Sequence, residues 1–195
     1  EGLAPDIIDD VAVKAGLPIG PLAMADITSL TLLKDIVTSI MGDGSATGLI
    51  GLRLLETLER LTEEGRSGKD SGRGIYDYDG SGQKPWPGLA DCFPPSVEIL
   101  DREIIEKRLL YAQSLEAARA IEEGVIEDAI DADVASVLGW AFPSSYGGVI
   151  GLIDTIGSAQ FLTECDELKD KFGGRFEAPA IIRDMADRGM SFFSE

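Results

Sequence analysis

Glu1-Gly-Leu-Ala-Pro-Asp-Ile-Ile-Asp-Asp-Val-Ala-Val-Lys-Ala-Gly16 opens the chain, and its pattern returns as Glu123-Gly-Val-Ile-Glu-Asp-Ala-Ile-Asp-Ala-Asp-Val-Ala-Ser-Val-Leu-Gly139. A long helical pattern, ending in Ser114-Leu-Glu-Ala-Ala-Arg-Ala-Ile-Glu-Glu-Gly124, leads into the second copy. No such pattern stands before the first copy in this sequence. We therefore expect two related units, of which the first lacks the leading helix of the second.

The similarity continues beyond these two segments. Each copy passes through a Pro/Gly turn into an Asp-bearing helix, from Gly16 to Asp26 and from Gly139 to Asp154, which requires a five-residue insertion in the second turn. Surface turns tolerate such insertions. Later, Leu61–Gly65 pairs with Met185–Gly189, and each closes a helix at a glycine. The pattern indicates duplication.

Helical spacing dominates the chain, so we predict an all-α fold of two tandem helical bundles. Domains are expected at residues 1–80 and 101–195, joined by a connector at 81–100 that follows Gly- and Pro-rich sequence. The expected helices are Asp6–Ala15, Pro21 to about Ile40, one capped by Ser45 with the stripe Ile50, Leu54, Leu58 and Leu61, one capped by Asp101, and four shorter ones near 131–138, 148–156, 159–170 and 179–188, with an extended piece at 74–78.

Charge and composition exclude several functions. The net charge of -18 repels a phosphate backbone, so we expect no nucleic-acid partner. The chain has no histidine, which removes the usual proton carrier near neutral pH and the commonest metal ligand, and no metal site is expected. The sequence has no apolar run of about 18 residues, so no membrane span is predicted. Two distant cysteines indicate a reducing, cytoplasmic compartment.

Chemistry by carboxylates is the remaining catalytic possibility. Asp26, Asp154, Glu56 and Glu116 could form a general acid/base pair, but 35 acidic residues make a chance pairing common, and solvated faces or helix caps explain them better. A hydrolase would need two of them converging in one pocket. Trp86, between two prolines, is expected to fill an apolar hollow, with ligand stacking as the alternative.

The motifs that carry the repeat resemble a known family, the tandem C-terminal domains of L-3-hydroxyacyl-CoA dehydrogenase found in the multifunctional fatty-acid oxidation protein. The resemblance covers nearly the whole chain. It rests on the Gly16–Asp26 turn and helix, Gly72-Arg-Gly-Ile-Tyr-Asp-Tyr78, Trp86-Pro-Gly-Leu89, Phe142-Pro-Ser-Ser-Tyr-Gly-Gly148, Ile153-Asp-Thr-Ile-Gly157, and Glu177-Ala-Pro-Ala-Ile-Ile-Arg-Asp-Met-Ala-Asp-Arg-Gly189.

The resemblance implies a non-catalytic part of an NAD-dependent enzyme of fatty-acid β-oxidation. In that family the NAD-binding Rossmann domain supplies the glycine-rich loop, a His-Glu pair and a Ser, and an Asn lies on the first C-terminal helix. None of these has a matching position here, so we expect no catalytic residue, no bound cofactor and no activity of this chain alone. NAD, acyl-CoA, and Rossmann and hydratase domains are expected for the parent enzyme.

The turn Pro18-Ile19-Gly20-Pro21 is the candidate substrate-binding segment, as one wall of the acyl-CoA cleft. Its glycine permits close backbone approach and its prolines fix the shape, although a purely structural role for the turn explains it equally well. Ser144–Tyr146 replaces the Pro-Phe-Arg-like run usual in the family's second copy, so no charge contact is carried over there.

The second unit is expected to form an intramolecular or subunit interface, replacing the partner subunit of a dimeric ancestor. The missing leading helix predicts an exposed apolar groove on the first unit and self-association through it. The alternative is a free-standing helical protein-interaction module that takes a partner helix in this groove.

Overall fold

The structure, a computed structural model, describes residues 1–42, 48–80, 82–96 and 101–193. The chain divides into two compact units, unit 1 comprising Glu1–Val13 and Ile19–Ile99, and unit 2 comprising Lys14–Pro18 and Leu100–Glu195. Apart from one two-stranded hairpin, the regular structure of the described residues is helical, which confirms the predicted all-α class.

Unit 1 holds five α-helices and the hairpin within the described residues. They are α1 (Pro5–Lys14), α2 (Pro21–Thr28), α3 (Leu30–Gly42), α4 (Gly48–Glu63), β1 (Tyr76–Asp79), β2 (Gly82–Pro85) and α5 (Leu89–Cys92). The hairpin is antiparallel, with Tyr76 opposite Pro85. The core of unit 1 contains Ala23, Leu30, Leu58, Leu61 and Tyr76. The predicted cap Ser45 lies outside the described residues.

The single helix predicted from Pro21 to about Ile40 is wrong. The structure breaks it at Ser29, a non-glycine residue with φ of 83°, so that α2 ends at Thr28 and α3 begins at Leu30. The Leu30 amide then donates to the carbonyl of Ser67, which a continuous helix would not allow. Apolar periodicity runs through the break and therefore hides it.

Two further helix predictions need correction. Leu54 belongs to the predicted core stripe of α4, but it is exposed, whereas Leu58 and Leu61 are buried. The helix expected near 131–138 is longer at both ends, from Ala129 to Trp140, and closes on Ala141, which adopts the left-handed conformation. A glycine at a helix end is a frequent stop, but here Gly139 is accommodated inside the last turn.

Two buried carboxylates hold unit 1 together. Asp9 of α1 accepts from the amides of Leu22 and Ala23 at 2.9 Å each, at the start of α2. Asp26, near the end of α2, accepts from the amides of Ile75 at 2.8 Å and Tyr76 at 2.9 Å. Asp26 is 1% exposed. The pair thus ties α1 to α2 and α2 to the hairpin.

Among the described residues of unit 1, Arg66 is the one buried cation. Its guanidinium donates to the carbonyls of Gly74 and Tyr76 and pairs with Asp77. It also lies 4.3 Å from the ring centroid of Trp86, which packs against the core. Trp86 therefore packs against the core, as predicted, but it covers a buried guanidinium and not only an apolar hollow.

Unit 2 is built on a long central helix. Its helices are α6 (Arg102–Glu122), α7 (Ala129–Trp140), α8 (Val149–Ile156), α9 (Ser158–Phe172) and α10 (Ala180–Arg188). The side chain of Asp101 caps α6 by accepting from the amide of Glu103, as predicted. Residues of α6 and α8 share one apolar core, and Val149 to Ile153 are all buried.

Unit 2 uses aspartates in the way that unit 1 does. Asp133 of α7 accepts from the amides of Ile150 at 2.6 Å and Gly151 at 3.0 Å, at the start of α8. Asp154 of α8 accepts from the amides of Phe192 at 2.9 Å and Phe193 at 2.8 Å. Burial raises the pKa of Asp133 above its ordinary value, although the two amides oppose this.

Helix α4 of unit 1 and helix α10 of unit 2 close alike. In unit 1 the amide of Arg66 donates to the carbonyl of Leu61, and in unit 2 the amide of Met190 donates to that of Met185. The intervening glycines, Gly65 and Gly189, have φ of 71° and 62°. Both are Schellman-type ends, which agree with the pairing of these segments in the sequence.

Truncating Asp26 is expected to destabilise unit 1 alone. In Asp26→Ala the amides of Ile75 and Tyr76 lose a charged acceptor inside the core, and so does the Tyr78 hydroxyl, which also donates to Asp26. The free energy of unfolding should therefore fall by roughly 3 kcal/mol or more. In urea titrations, the fluorescence of Trp86 in a Trp140→Phe background reports on unit 1. The fluorescence of Trp140 in a Trp86→Phe background reports on unit 2. An unshifted Trp86 transition would contradict the account.

A carboxylate also joins α6 to α9. Glu164 accepts from the hydroxyl of Tyr111 and from Gln160, and it pairs with Lys107 at 3.2 Å. Burial acts to raise the pKa of Glu164, but the hydrogen bonds from Tyr111, Gln160 and Lys107 outweigh it, and the net pKa lies below the ordinary 4.5.

This lowered pKa makes unit 2 sensitive to acid. A lowered folded-state pKa stabilises the fold above 4.5, and the contribution is lost as the pH falls through the folded value. Glu164→Gln should therefore flatten the loss of stability below about pH 5, measured by urea unfolding across the acid range. Glu167→Gln, at an exposed position of the same helix, is the matched control and should leave the slope unchanged.

Candidate functional site

The predicted substrate-binding turn lies at the start of α2. Pro18 is exposed, Ile19 is half-buried against the unit 1 core, and Gly20 is buried. Gly20 is the N-cap residue of α2 with φ of -68° and ψ of 147°, and Pro21 occupies the first helical turn, where its missing amide has no intrahelical acceptor. The turn is thus rigid, and Pro18 is its solvent-exposed residue.

Gly20 has a structural reason to be a glycine. A Cβ built on Gly20 would overlap the carboxylate of Asp9, the side chain that binds the two amides at the start of α2. Because φ at Gly20 is negative, the backbone conformation itself does not demand glycine. The group that closely approaches Gly20 is therefore the side chain of Asp9. Such packing is what a purely structural role of the turn would require.

Two tyrosines complete the polar cluster around Asp9 and Asp26. The Tyr76 hydroxyl donates to Asp9 at 2.8 Å, and the Tyr78 hydroxyl donates to Asp26 at 2.9 Å. Burial and these hydrogen bonds raise the pKa of both tyrosines well above their ordinary value of 10.0. The two phenols therefore stay protonated and serve as hydrogen-bond donors.

The cluster contains the residue types of an acid/base site, but its hydrogen bonds are those of a structural site. Each carboxylate of the pair accepts two backbone amides in addition to a tyrosine hydroxyl, so its oxygens are occupied within the fold. Elsewhere, burial raises the pKa of the Cys165 thiol to about 12, and burial also raises that of Tyr111. None of these groups is an activated nucleophile.

Three of the carboxylates considered for acid/base chemistry have different partners in the fold. Asp26 binds the hairpin, Asp154 binds the segment after α10, and Glu116 forms an exposed pair with Arg119. The expectation that Asp26 is solvated or caps a helix is wrong, because it is buried and binds a distant hairpin instead. Within the described ranges, no group of three His, Cys, Asp or Glu side chains could hold a metal ion.

Four residues that organise the two units were not predicted from the sequence: Asp9, Asp133, Tyr76 and Arg66. The repeat gave only an approximate signal for the two aspartates, because both lie inside the helix that precedes the Pro/Gly turn, but Asp9 is seven positions before Gly16 and Asp133 is six before Gly139. Arg66 gave no local signal. Its burial depends on carbonyls of a loop and a strand that fold back on it.

Residues 1–78 match the family model of the 3-hydroxyacyl-CoA dehydrogenase, C-terminal domain. This part of the chain belongs to that family. The match includes the Asp9 and Asp26 cluster and extends into β1.

The whole chain is similar to longer proteins of fatty-acid oxidation. It is 32% identical to the peroxisomal fatty acid beta-oxidation multifunctional protein of Arabidopsis thaliana, over 94% of this chain and 26% of that protein. It is 30% identical to the fatty acid oxidation complex subunit alpha of Pseudomonas savastanoi, over 96% of this chain and 27% of that protein. The chain thus spans about a quarter of the length of these relatives.

A solved structure shares the fold. The crystal structure of 3-hydroxybutyryl-CoA dehydrogenase from Escherichia coli superposes with a TM-score of 0.71 at 18% identity, covering 96% of this chain and 55% of that one. Of the helices that the structure describes, none combines the length and apolar character needed to cross a bilayer.

Substitution of Gly20 tests the packing at this turn. Gly20→Ala should lower the free energy of unfolding of unit 1 by roughly 2 kcal/mol, because the methyl group displaces the Asp9 carboxylate from its amides. The double variant with Asp9→Ala should cost less than the sum of the single changes, since the overlap is gone. Gly80→Ala is the control, as its Cβ meets nothing within 4 Å. Additive costs would contradict the proposed overlap.

Proposed function

We propose that this chain is the non-catalytic C-terminal part of an NAD-dependent L-3-hydroxyacyl-CoA dehydrogenase of fatty-acid β-oxidation. The observation that carries the proposal is the family match over residues 1–78, a region whose buried carboxylates are all occupied by backbone amides and tyrosine hydroxyls. The similarity to proteins named for fatty-acid oxidation supports the same process for this chain.

In this proposal the chain shapes the acyl-CoA cleft and carries out no chemical step. The turn Pro18–Pro21 forms one wall of the acyl-CoA cleft, with Pro18 and Ile19 facing the acyl chain while Gly20 and Pro21 hold the start of α2. The exposure of Pro18 and the rigidity of the turn support this division of roles. Because coenzyme A is polyanionic and this chain carries a net charge of -18, its phosphates bind to another domain.

Hydride transfer and cofactor binding belong to the rest of the parent enzyme. NAD and the histidine base are supplied by a Rossmann domain, hydration by a hydratase domain, and the assembly works in the cytoplasm. The absence of histidine from this sequence supports the division, since the family's base is a histidine.

We further propose that the two units descend from one duplicated unit. Asp9 and Asp133 bind the start of the next α-helix, and Asp26 and Asp154 bind two consecutive amides of a later segment. The second unit then serves as the interface that a partner subunit provides in a dimeric relative.

A dehydrogenase assay tests the proposed function. The chain alone should not oxidise NADH in the presence of acetoacetyl-CoA, because it lacks a proton carrier. When it is mixed with the NAD-binding domain of a relative, NADH absorbance should fall, and Pro18→Glu should raise KM more than it lowers kcat, through contact with the acyl chain. Turnover by the chain alone overturns the proposal.

Self-association is the second proposal, and an uncovered apolar face supports it. Met24 and Ile27 of α2 and Leu32, Ile36 and Ile40 of α3 are between 43% and 50% exposed; we call these five side chains the α2–α3 face. Apolar surface of this kind marks contact sites. Light scattering should show mass rising with concentration, and Ile36→Glu should suppress the rise. A strictly monomeric particle at all concentrations would contradict it.

A further inference from the structure

The link between α2 and α3 is a single residue, Ser29, and its backbone is strained. Ser29 has φ of 83° and ψ of 121°. Among the described residues, Ala141 is the other non-glycine residue with positive φ, and its φ of 56° and ψ of 43° belong to the ordinary left-handed region. The ψ of Ser29 lies outside that region, where the Cβ of an L-residue crowds the backbone. Ser29 is therefore the strained residue of the two.

Unit 2 makes the same link with a glycine. Gly157 joins α8 to α9 with φ of 90° and ψ of 134°, and it follows Asp154 by three residues, as Ser29 follows Asp26. A Cβ built on Gly157 would meet nothing within 4 Å, so the backbone conformation itself is the obstacle to a side chain there. The two units thus use one conformation at this link, and unit 1 adopts it with a side chain that opposes it.

The hydrogen bonds of the two links differ as well. The Gly157 amide donates to the carbonyl of Ile153 at 2.8 Å and so closes α8. Among the bonds between described residues, the Ser29 amide has no equivalent bond to the carbonyl of Ala25. The Ser29 hydroxyl accepts from the amide of Leu32 at 3.4 Å, which is long for a hydrogen bond. The link of unit 1 is therefore both more strained and less well bonded than that of unit 2.

Contacts with a neighbouring loop keep Ser29 in this conformation. Leu30 is fully buried, and its amide donates to the carbonyl of Ser67 at 3.0 Å. The next residue, Gly68, lies so close to the link that a Cβ on it would come within 3.2 Å of the Ser29 Cα and 2.5 Å of the Asp26 carbonyl oxygen. A strained backbone persists where its surroundings over-determine it. Release of these contacts would let the strain relax.

We propose that Ser29 is a strained hinge, at which the start of α3 moves relative to α2 without unfolding of unit 1. When the Leu30 amide leaves its acceptor, Ser29 returns to an allowed conformation, so the strain favours this local opening. Asp9 and Asp26 hold both ends of α2, and the change of φ and ψ at Ser29 therefore displaces α3. The turn Pro18–Pro21 at the start of α2 keeps its place during the motion.

Amide hydrogen exchange of the complete chain, followed by NMR at low urea concentrations, tests the hinge. The Leu33 amide donates to the Ser29 carbonyl at 3.0 Å and the Phe161 amide to the Gly157 carbonyl at 2.9 Å, so these two amides are matched probes. The Leu33 amide should exchange faster than the Leu22 amide. Its rate should barely depend on urea, because a local opening exposes little surface. The Phe161 amide should exchange only when unit 2 unfolds.

Reciprocal substitutions at the two links provide matched variants. Ser29→Gly removes the strain and should slow exchange of the Leu33 amide roughly tenfold. Gly157→Ser introduces the strain in unit 2 and should accelerate exchange of the Phe161 amide by a similar factor. Ser29→Ala keeps the Cβ but lacks the hydroxyl, so it should leave the Leu33 rate within about twofold of that in the unaltered chain. Circular dichroism checks that each variant keeps its helical content.

Three outcomes overturn the inference. The first is exchange of the Leu33 amide with the same rate and urea dependence as the Leu22 amide, which would show strain without a hinge. The second is a Leu33 rate that Ser29→Gly leaves unchanged or raises. The third is a tenfold change of that rate in Ser29→Ala, which would assign the effect to the hydroxyl. The hinge does not depend on the proposed function, and turnover by the chain alone would leave these exchange rates unaltered.

Discussion

Both units depend on one interaction, a buried aspartate carboxylate that accepts hydrogen bonds from two consecutive backbone amides of another segment. A buried carboxylate is costly unless its oxygens are satisfied, and two amides at a helix start are donors that the helix itself cannot use. Asp9 and Asp133 meet this requirement at α2 and α8. Each contact fixes the position of one helix against another more narrowly than apolar packing would.

The second aspartate of each unit binds two backbone amides of a later segment in the same way. Asp26 reaches the hairpin and Asp154 reaches the residues after α10, so each eight-residue helix is held at both ends. Using carboxylates in this way removes them from chemistry. The glycines next to them follow from the same constraint, because a side chain at Gly20 or Gly74 would occupy the volume of the carboxylate.

The sequence predicted the helical class and most helix positions because apolar periodicity and capping residues such as Asp101 are local signals. It did not predict the break at Ser29, since the residue types there do not require one and the hydrogen bond to Ser67 is long-range. The site was less predictable. The turn at Pro18–Pro21 was visible as a motif, but the contact of Gly20 with Asp9 depends on tertiary packing. The buried guanidinium of Arg66 likewise requires the folded loop around it.

Native-state amide hydrogen exchange on the unaltered chain tests the central claim most directly. If the aspartates hold each unit, the amides of Leu22, Ala23, Ile75 and Tyr76 exchange only when unit 1 unfolds, and those of Ile150 and Gly151 only when unit 2 unfolds. Their protection should then equal that of the core helices in the same unit. Exchange of these amides at the rate of exposed turn residues would show that the carboxylates do not hold them, and would contradict the account.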